Sequence, residues 1–240
     1  MSASFICFVP QSTFMNIQHE PLQELKHIKN MMERSSRFIS LSGLSGISAG
    51  ICALVGAWFA NKVIERSGGP VAGEGRIYKR DYNIDTLQEF MGSKLFNIAI
   101  ITLVSALFFA FLFTYLRSKK NNIAIWGTTS RRLLTAVAIP MIAGGIYLLR
   151  EIQIGNYGLI APGCLIFYGL ALVNGSKYTL DEVRYLGYGQ IILGIISCWM
   201  IGYGVYFWAA GFGLLHIIYG ILMWYRYERT TTSEQPTINA

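Results

Sequence analysis

Charge is what this sequence has least of. Asp, Glu, Lys and Arg make up 14% of its 240 residues, against roughly 25% in soluble domains, while apolar residues reach 53%. Positions 185–225 pass without one charged side chain. A deficit of this size excludes an ordinary water-soluble domain and marks a membrane protein. Cysteine is scarce as well. Cys7 lies near the start, Cys52, Cys164 and Cys198 lie in apolar stretches, and no two have C-x-x-C spacing. Metal-binding and disulfide frameworks are therefore not expected, and the three apolar-stretch cysteines read as small packing residues. Of the three histidines, His19 and His27 precede the first apolar stretch, so bis-histidine haem and multi-histidine metal sites are excluded within the membrane. H-E-x-x-H, a G-K-[ST] phosphate loop, paired intramembrane aspartates and a recognisable Ser-His arrangement are all missing. The expectation is a non-enzyme, with no catalytic, cofactor-binding or metal-ligating residue and no cofactor. No Asp, Glu, Lys or Arg falls mid-way along any apolar segment, so the groups used by proton relays, voltage sensors and many ion-coupled carriers are absent.

What is present is a series of apolar segments about 20 residues long, the length needed to cross a bilayer core. The first, 38–60, follows a charged entry (Glu33, Arg34, Arg37) and carries two stripes of small residues: Ser42, Gly46 and Gly50, and beside them Ser45, Ala49, Ala53 and Ala57. Small residues four apart let a second helix approach closely, which drives helix association in lipid. This segment is expected to be the packing centre of a bundle. The run ERSSRFISLSGLSGISAG, positions 33–50, resembles the hallmark segment of an uncharacterised family of small multi-pass membrane proteins from Bacteroidetes-type bacteria. The resemblance is sharpest over 31–60. It implies a bacterial inner-membrane location and brings no activity and no site residues.

Five further spans are expected at 96–116, 133–149, 157–174, 185–202 and 205–225. The uncharged stretch 185–225 must be two helices, because one helix of that length would run about 60 Å at 1.5 Å per residue, twice the hydrocarbon thickness. Its turn is placed at Gly202, Tyr203 and Gly204. Pro140, followed by Gly144 and Gly145, predicts a kink in the third span. Pro162 and Gly163 predict a kinked or partly unwound fourth span. Arg150 and Glu151 read as a solvated pair at a span end. The fold class is thus all-α: a polytopic transmembrane helix bundle of six spans, N-in and C-in.

Around this membrane domain, 1–37 reads as an N-terminal arm. Positions 1–14 lack a basic n-region and read as an extension before Met15 rather than a cleaved signal. A short amphipathic helix over 21–38 buries Leu22, Leu25, Ile28 and Met32 on one face. In the loop 62–95 the Gly-rich run is a flexible turn, and Asp85 with Gln88 forms a capping-box pattern that starts a helix near Thr86 and turns it at Gly92. Residues 226–240 read as a disordered tail. With the N-terminus inside, 13 of the 20 Lys and Arg fall on the inner side and seven on the outer, the bias that orients membrane proteins. Trp58, Trp199 and Trp208 then lie near the outer face, with Tyr115 and Trp224 near the inner one. The basic residues cluster at span ends rather than along one stripe, so nucleic acid is not an expected partner. The lipid bilayer is one, together with a second copy of the chain or another membrane or cytoplasmic protein.

His216 is the most informative single residue. It lies near the centre of the last span, where an ionisable group is by default a functional hypothesis. Gln190 and Ser197 stand seven apart in the fifth span and share a face, so the three together make a candidate polar seam. The bland alternative is interhelical hydrogen bonding, worth about 0.6 kcal/mol per bond. Two functional readings follow. The first is a non-enzymatic component that binds partners or itself through the stripes of span one. The second is a small-molecule facilitator or channel with a path between spans four, five and six.

Overall fold

The computed structural model describes residues 43–66, 91–120 and 127–228. The chain divides into two units, Met1–Arg37 and Phe38–Ala240. The arm, its amphipathic helix, Ser42, the capping box and the tail beyond 228 lie outside the described residues. Among the described residues there are six helices: α1 (Gly43–Arg66), α2 (Lys94–Lys120), α3 (Thr128–Ile154), α4 (Ile160–Gly175), α5 (Glu182–Trp199) and α6. The last, α6, is built of four consecutive pieces, Gly204–Trp208, a π-helical Ala209–Leu215, His216–Met223 and a π-helical Trp224–Glu228. The protein is an all-α, multi-pass membrane protein.

Local chemistry sets the helix ends. Beyond its apolar part α1 continues on exposed i,i+3 and i,i+4 contacts, with Asn61 Nδ2 donating to Glu65 Oε1 at 2.7 Å and Lys62 facing Glu65. Ser93 caps α2, its hydroxyl accepting from the Phe96 N–H at 3.2 Å. Arg117, Lys119 and Lys120 occupy the last turn of α2, where cations suit the negative end of the helix dipole. α3 runs past Arg150 to Ile154 and stops at Gly155, whose φ of 87° is a left-handed cap; the Gly155 and Asn156 N–H groups close onto the carbonyls of Ile152 and Glu151.

The third span passes through Pro140 as one continuous helix. Proline removes the N–H that would reach the carbonyl four residues back, which here is that of Ala136. Asn174 of α4 supplies the substitute: its Nδ2 donates to Ala136 O at 2.7 Å. A polar side chain on a neighbouring helix is one way a transmembrane proline is accommodated. The expected distortion of the fourth span takes a milder form. Pro162 is the third residue of α4, within the first turn, where an N–H has no intrahelical partner to lose. Short 3-10 turns, Tyr157–Leu159 and Ser176–Tyr178, extend α4 at both ends.

Five stretches among the described residues are long and apolar enough to cross a membrane: Gly43–Arg66, Lys94–Lys120, Thr128–Ile154, Tyr157–Tyr178 and Gly204–Arg226. The expectation of six is thus met for five. α5 falls short because it is shifted. It begins at Glu182, not at 185, and ends at Trp199, not at 202, so it gains Glu182 and Arg184 and loses Met200 and Ile201. The early stop follows from the turn into α6, where Gly202 takes a φ of 101° that other residues rarely adopt. The turn itself falls where expected.

Glycine contact brings the helices together. α1 lies between α2 and α6, while α4 packs against α3, α5 and α6. A methyl group at Gly50 would come within 2.7 Å of Gly213 O, and one at Gly220 within 2.6 Å of Gly43 O. The α4–α5 crossing repeats the device, since a methyl at Gly187 would lie 2.8 Å from Gly169 O. Small-residue contact of this kind supplies the dispersion that holds helices together where lipid offers no hydrophobic force. By contrast α2 buries only Thr102 and Ser118, and its Leu, Ile and Phe side chains are largely exposed, as suits a helix facing lipid.

Candidate functional site

Gly211 is the hub of a polar cluster buried among α4, α5 and α6. Gln190 of α5 donates from Nε2 to Gly211 O at 2.8 Å. His216 Nδ1 lies 3.1 Å from the same carbonyl, five residues back along α6. On the other side of the imidazole, the Tyr168 hydroxyl of α4 lies 2.8 Å from His216 Nε2. Gln190 is 0% and His216 7% exposed.

The geometry fixes the proton positions. A carbonyl oxygen only accepts, so the Gln190 atom facing Gly211 O is the amide nitrogen, and Nδ1 of His216 must carry a hydrogen to sit productively at 3.1 Å. In the neutral imidazole Nε2 is then the bare nitrogen, and the Tyr168 O–H donates to it. The 3.4 Å approach of Gln190 Nε2 to His216 Nδ1 sets two donors side by side, converging on one acceptor. The result is a neutral, closed relay from Tyr168 through His216 to a backbone carbonyl.

The backbone makes this possible. Gly211 belongs to the π-helical piece Ala209–Leu215, which ends at His216. The wider π-turn brings the side chain of residue i+5 back over the Gly211 carbonyl, and such turns recur at functional positions. Gly211 also has to be glycine for space, since a methyl there would press on Leu165 and come within 2.5 Å of Gln190 Oε1. Aromatic rings frame the imidazole. Trp208, Phe212 and His216 succeed one another along α6, with centroid separations of 5.4 and 6.1 Å, and Tyr168 lies over Phe212 at 5.1 Å.

Of the candidate seam, Gln190 and His216 meet, and Ser197 does not join them. Ser197 is 1% exposed and lies two turns farther along α5; its hydroxyl is without a hydrogen-bond partner, as is Gln190 Oε1. Tyr168 completes the cluster. Sequence reasoning does not single it out, because a tyrosine in an apolar span signals nothing by itself. The sequence signal for Gly211 is the small, glycine-broken run Ala209, Ala210, Gly211, Phe212, Gly213 just ahead of a lone histidine.

The small-residue stripes of α1 have their place too. Gly46 faces Gly220 and the His216 carbonyl, and Gly50 faces Gly213 and Ile217, both on α6. Ser45, Ala53 and Ala57 are buried and Ala49 is half-buried. Gly56, outside the predicted stripes, meets Thr102 of α2. The glycines of the stripe are therefore occupied within the chain. Glu151 and Arg150 do not form the expected solvated pair. Glu151 is buried and takes a 2.8 Å hydrogen bond from Asn156 Nδ2, while Arg150 is exposed and reaches Gln153. At the other end of the bundle Arg226 of α6 pairs with Glu182 of α5 at 2.9 Å. Among the described residues no three His, Cys, Asp or Glu side chains are grouped to hold a metal ion. Compared with known protein families, with curated proteins and with solved structures, the chain matches none of them.

Proposed function

We propose that this membrane protein is a non-enzymatic facilitator that passes a small solute through the α4–α5–α6 seam, with the Tyr168, Gln190 and His216 cluster as its narrowest point. The observation that carries this reading is the convergence of polar groups from three helices on one π-turn at mid-depth. Intramembrane polar residues are costly and face interiors or pathways, and irregular backbone at membrane depth is characteristic of substrate sites. The seam is closed by glycine contacts in this conformation, and the π-turn of α6 is the element that opens it. In this reading α5 is a sixth span. Its 18 residues reach about 27 Å at 1.5 Å each, close to a hydrocarbon core. Both termini then face the cytoplasm, in agreement with the Lys and Arg bias, and the resemblance of positions 33–50 supports a bacterial inner membrane.

The test is flux in proteoliposomes. Purified protein is expected to speed entry of at least one small solute over protein-free vesicles, and His216→Leu to reduce it. Failure of every solute in a broad panel sinks the proposal. A second reading, a partner-binding or self-associating component, draws on the exposed faces of α2 and α3. It is weaker because the α1 glycines that suggested it are used against α6. A defined oligomer or a stoichiometric partner in mild-detergent pull-downs would favour it.

A further inference from the structure

We infer that the solute is small, uncharged and a hydrogen-bond donor, such as a urea-like amide or a short polyol; this rests on the α4–α6 seam being the passage. Gln190 Oε1 is wholly buried and has no partner, and an amide oxygen can only accept. Ser197 Oγ, also buried and unpartnered, lies on the same face of α5, about 10 Å farther along at 1.5 Å per residue. A buried polar atom left unpaired in a native structure calls for an explanation. Most donors of the cluster are committed: the Tyr168 O–H to His216, and the His216 Nδ1–H and one N–H of Gln190 Nε2 to Gly211 O, while the second N–H of that nitrogen is turned toward the His216 ring at 3.4 Å. The atom of the cluster left with no partner at all, Gln190 Oε1, is an acceptor, and the Ser197 hydroxyl can accept as well, so a solute that donates is the one both can hold.

Charge and size narrow the class further. The charged residues Glu182 and Arg184 of α5 and Arg226 of α6 all lie at one end of the bundle, where Glu182 pairs with Arg226 and Arg184 with Asp181. An ion at the level of His216 would meet no compensating charge, and an unpaired charge at that depth is heavily penalised. At Gly194 a methyl group would already lie 3.0 Å from Pro162 O, so only a solute of a few heavy atoms can pass with modest movement of α4 from α5.

The experiment is stopped-flow light scattering on proteoliposomes of the full chain, challenged with urea, glycerol, trimethylamine N-oxide (an acceptor of similar size without a donor) and potassium formate. Urea or glycerol is expected to enter faster than in protein-free vesicles. That gain is lost in Gln190→Leu and reduced in Ser197→Ala, while trimethylamine N-oxide and formate stay at background. Ser197→Ala guards against misfolding: removing an unpartnered buried hydroxyl leaves stability unchanged or raised, so slower entry in a folded variant reports the site. Faster trimethylamine N-oxide or formate entry that depends on His216 overturns the donor class and leaves the seam standing. Urea entry indifferent to both α5 substitutions overturns the site. No solute above background overturns the passage and the inference together.

Discussion

Asn174 and Pro140 should behave as a coupled pair through the Ala136 carbonyl. Ala136 O has lost its usual donor to Pro140 and is served by Asn174 Nδ2 at 2.7 Å. Asn174→Leu keeps the γ-branched outline of the side chain and leaves that carbonyl unserved in the α3–α4 contact. Interhelical hydrogen bonds in membranes average about 0.6 kcal/mol, with a maximum near 1.7. This one replaces a missing backbone bond, so a loss of about 1 kcal/mol is expected, toward the upper part of that range. Pro140→Ala returns an N–H at position 140 that reaches Ala136 O inside α3. In that background Asn174→Leu should cost little, giving a coupling of about 1 kcal/mol in the double-mutant cycle. Reversible unfolding of the four proteins in mixed detergent micelles, followed by tryptophan fluorescence, measures each corner. An Asn174→Leu cost that is the same in the parent and in the Pro140→Ala background would refute the reasoning, because it would mean that the asparagine does not act through the orphaned carbonyl.

Packing, hydrogen bonding and backbone geometry give four further expectations. Gly50→Leu and Gly220→Leu should each destabilise the folded chain by about 1–3 kcal/mol through overpacking, since each glycine meets backbone across the α1–α6 contact. Gly145→Leu, which points into open space, should stay within about 0.5 kcal/mol of the parent in the same unfolding assay. Tyr168→Phe leaves His216 Nε2 without its donor and should cost about 1–3 kcal/mol; nitrogen NMR of the imidazole should also show the tautomer preference relaxing. Gly155→Ala, at a φ of 87°, should lower stability by about 1 kcal/mol, read as a shift in the unfolding midpoint, without altering the Tyr168–His216 bond.

The membrane class, the helical content and most helix positions were legible along the chain, because crossing a bilayer demands long uncharged runs and those are a one-dimensional property. The two-helix reading of 185–225 followed from length, and its turn from the Gly202-Tyr203-Gly204 run. The importance of Gly46 and Gly50 followed from spacing, since close approach in lipid needs small residues at a helical repeat. Gln190 and His216 stood out for the converse reason, as polar groups where polarity is costly.

Tertiary structure decided what those features meet. The stripe glycines of α1, Gly46 and Gly50, face α6 of the same chain, which no count of small residues distinguishes from an exposed stripe. The early end of α5 depended on the left-handed turn at Gly202, a backbone property, while its start soon after the Ser176–Tyr178 turn took Glu182 and Arg184 into the helix. Asn174 could be tied to Pro140 only when α4 lay against α3. The polar cluster itself was hidden, since its hub is the carbonyl of Gly211 in a π-turn. Backbone carbonyls are identical in every residue of a sequence, and only the fold determines which of them side chains can reach.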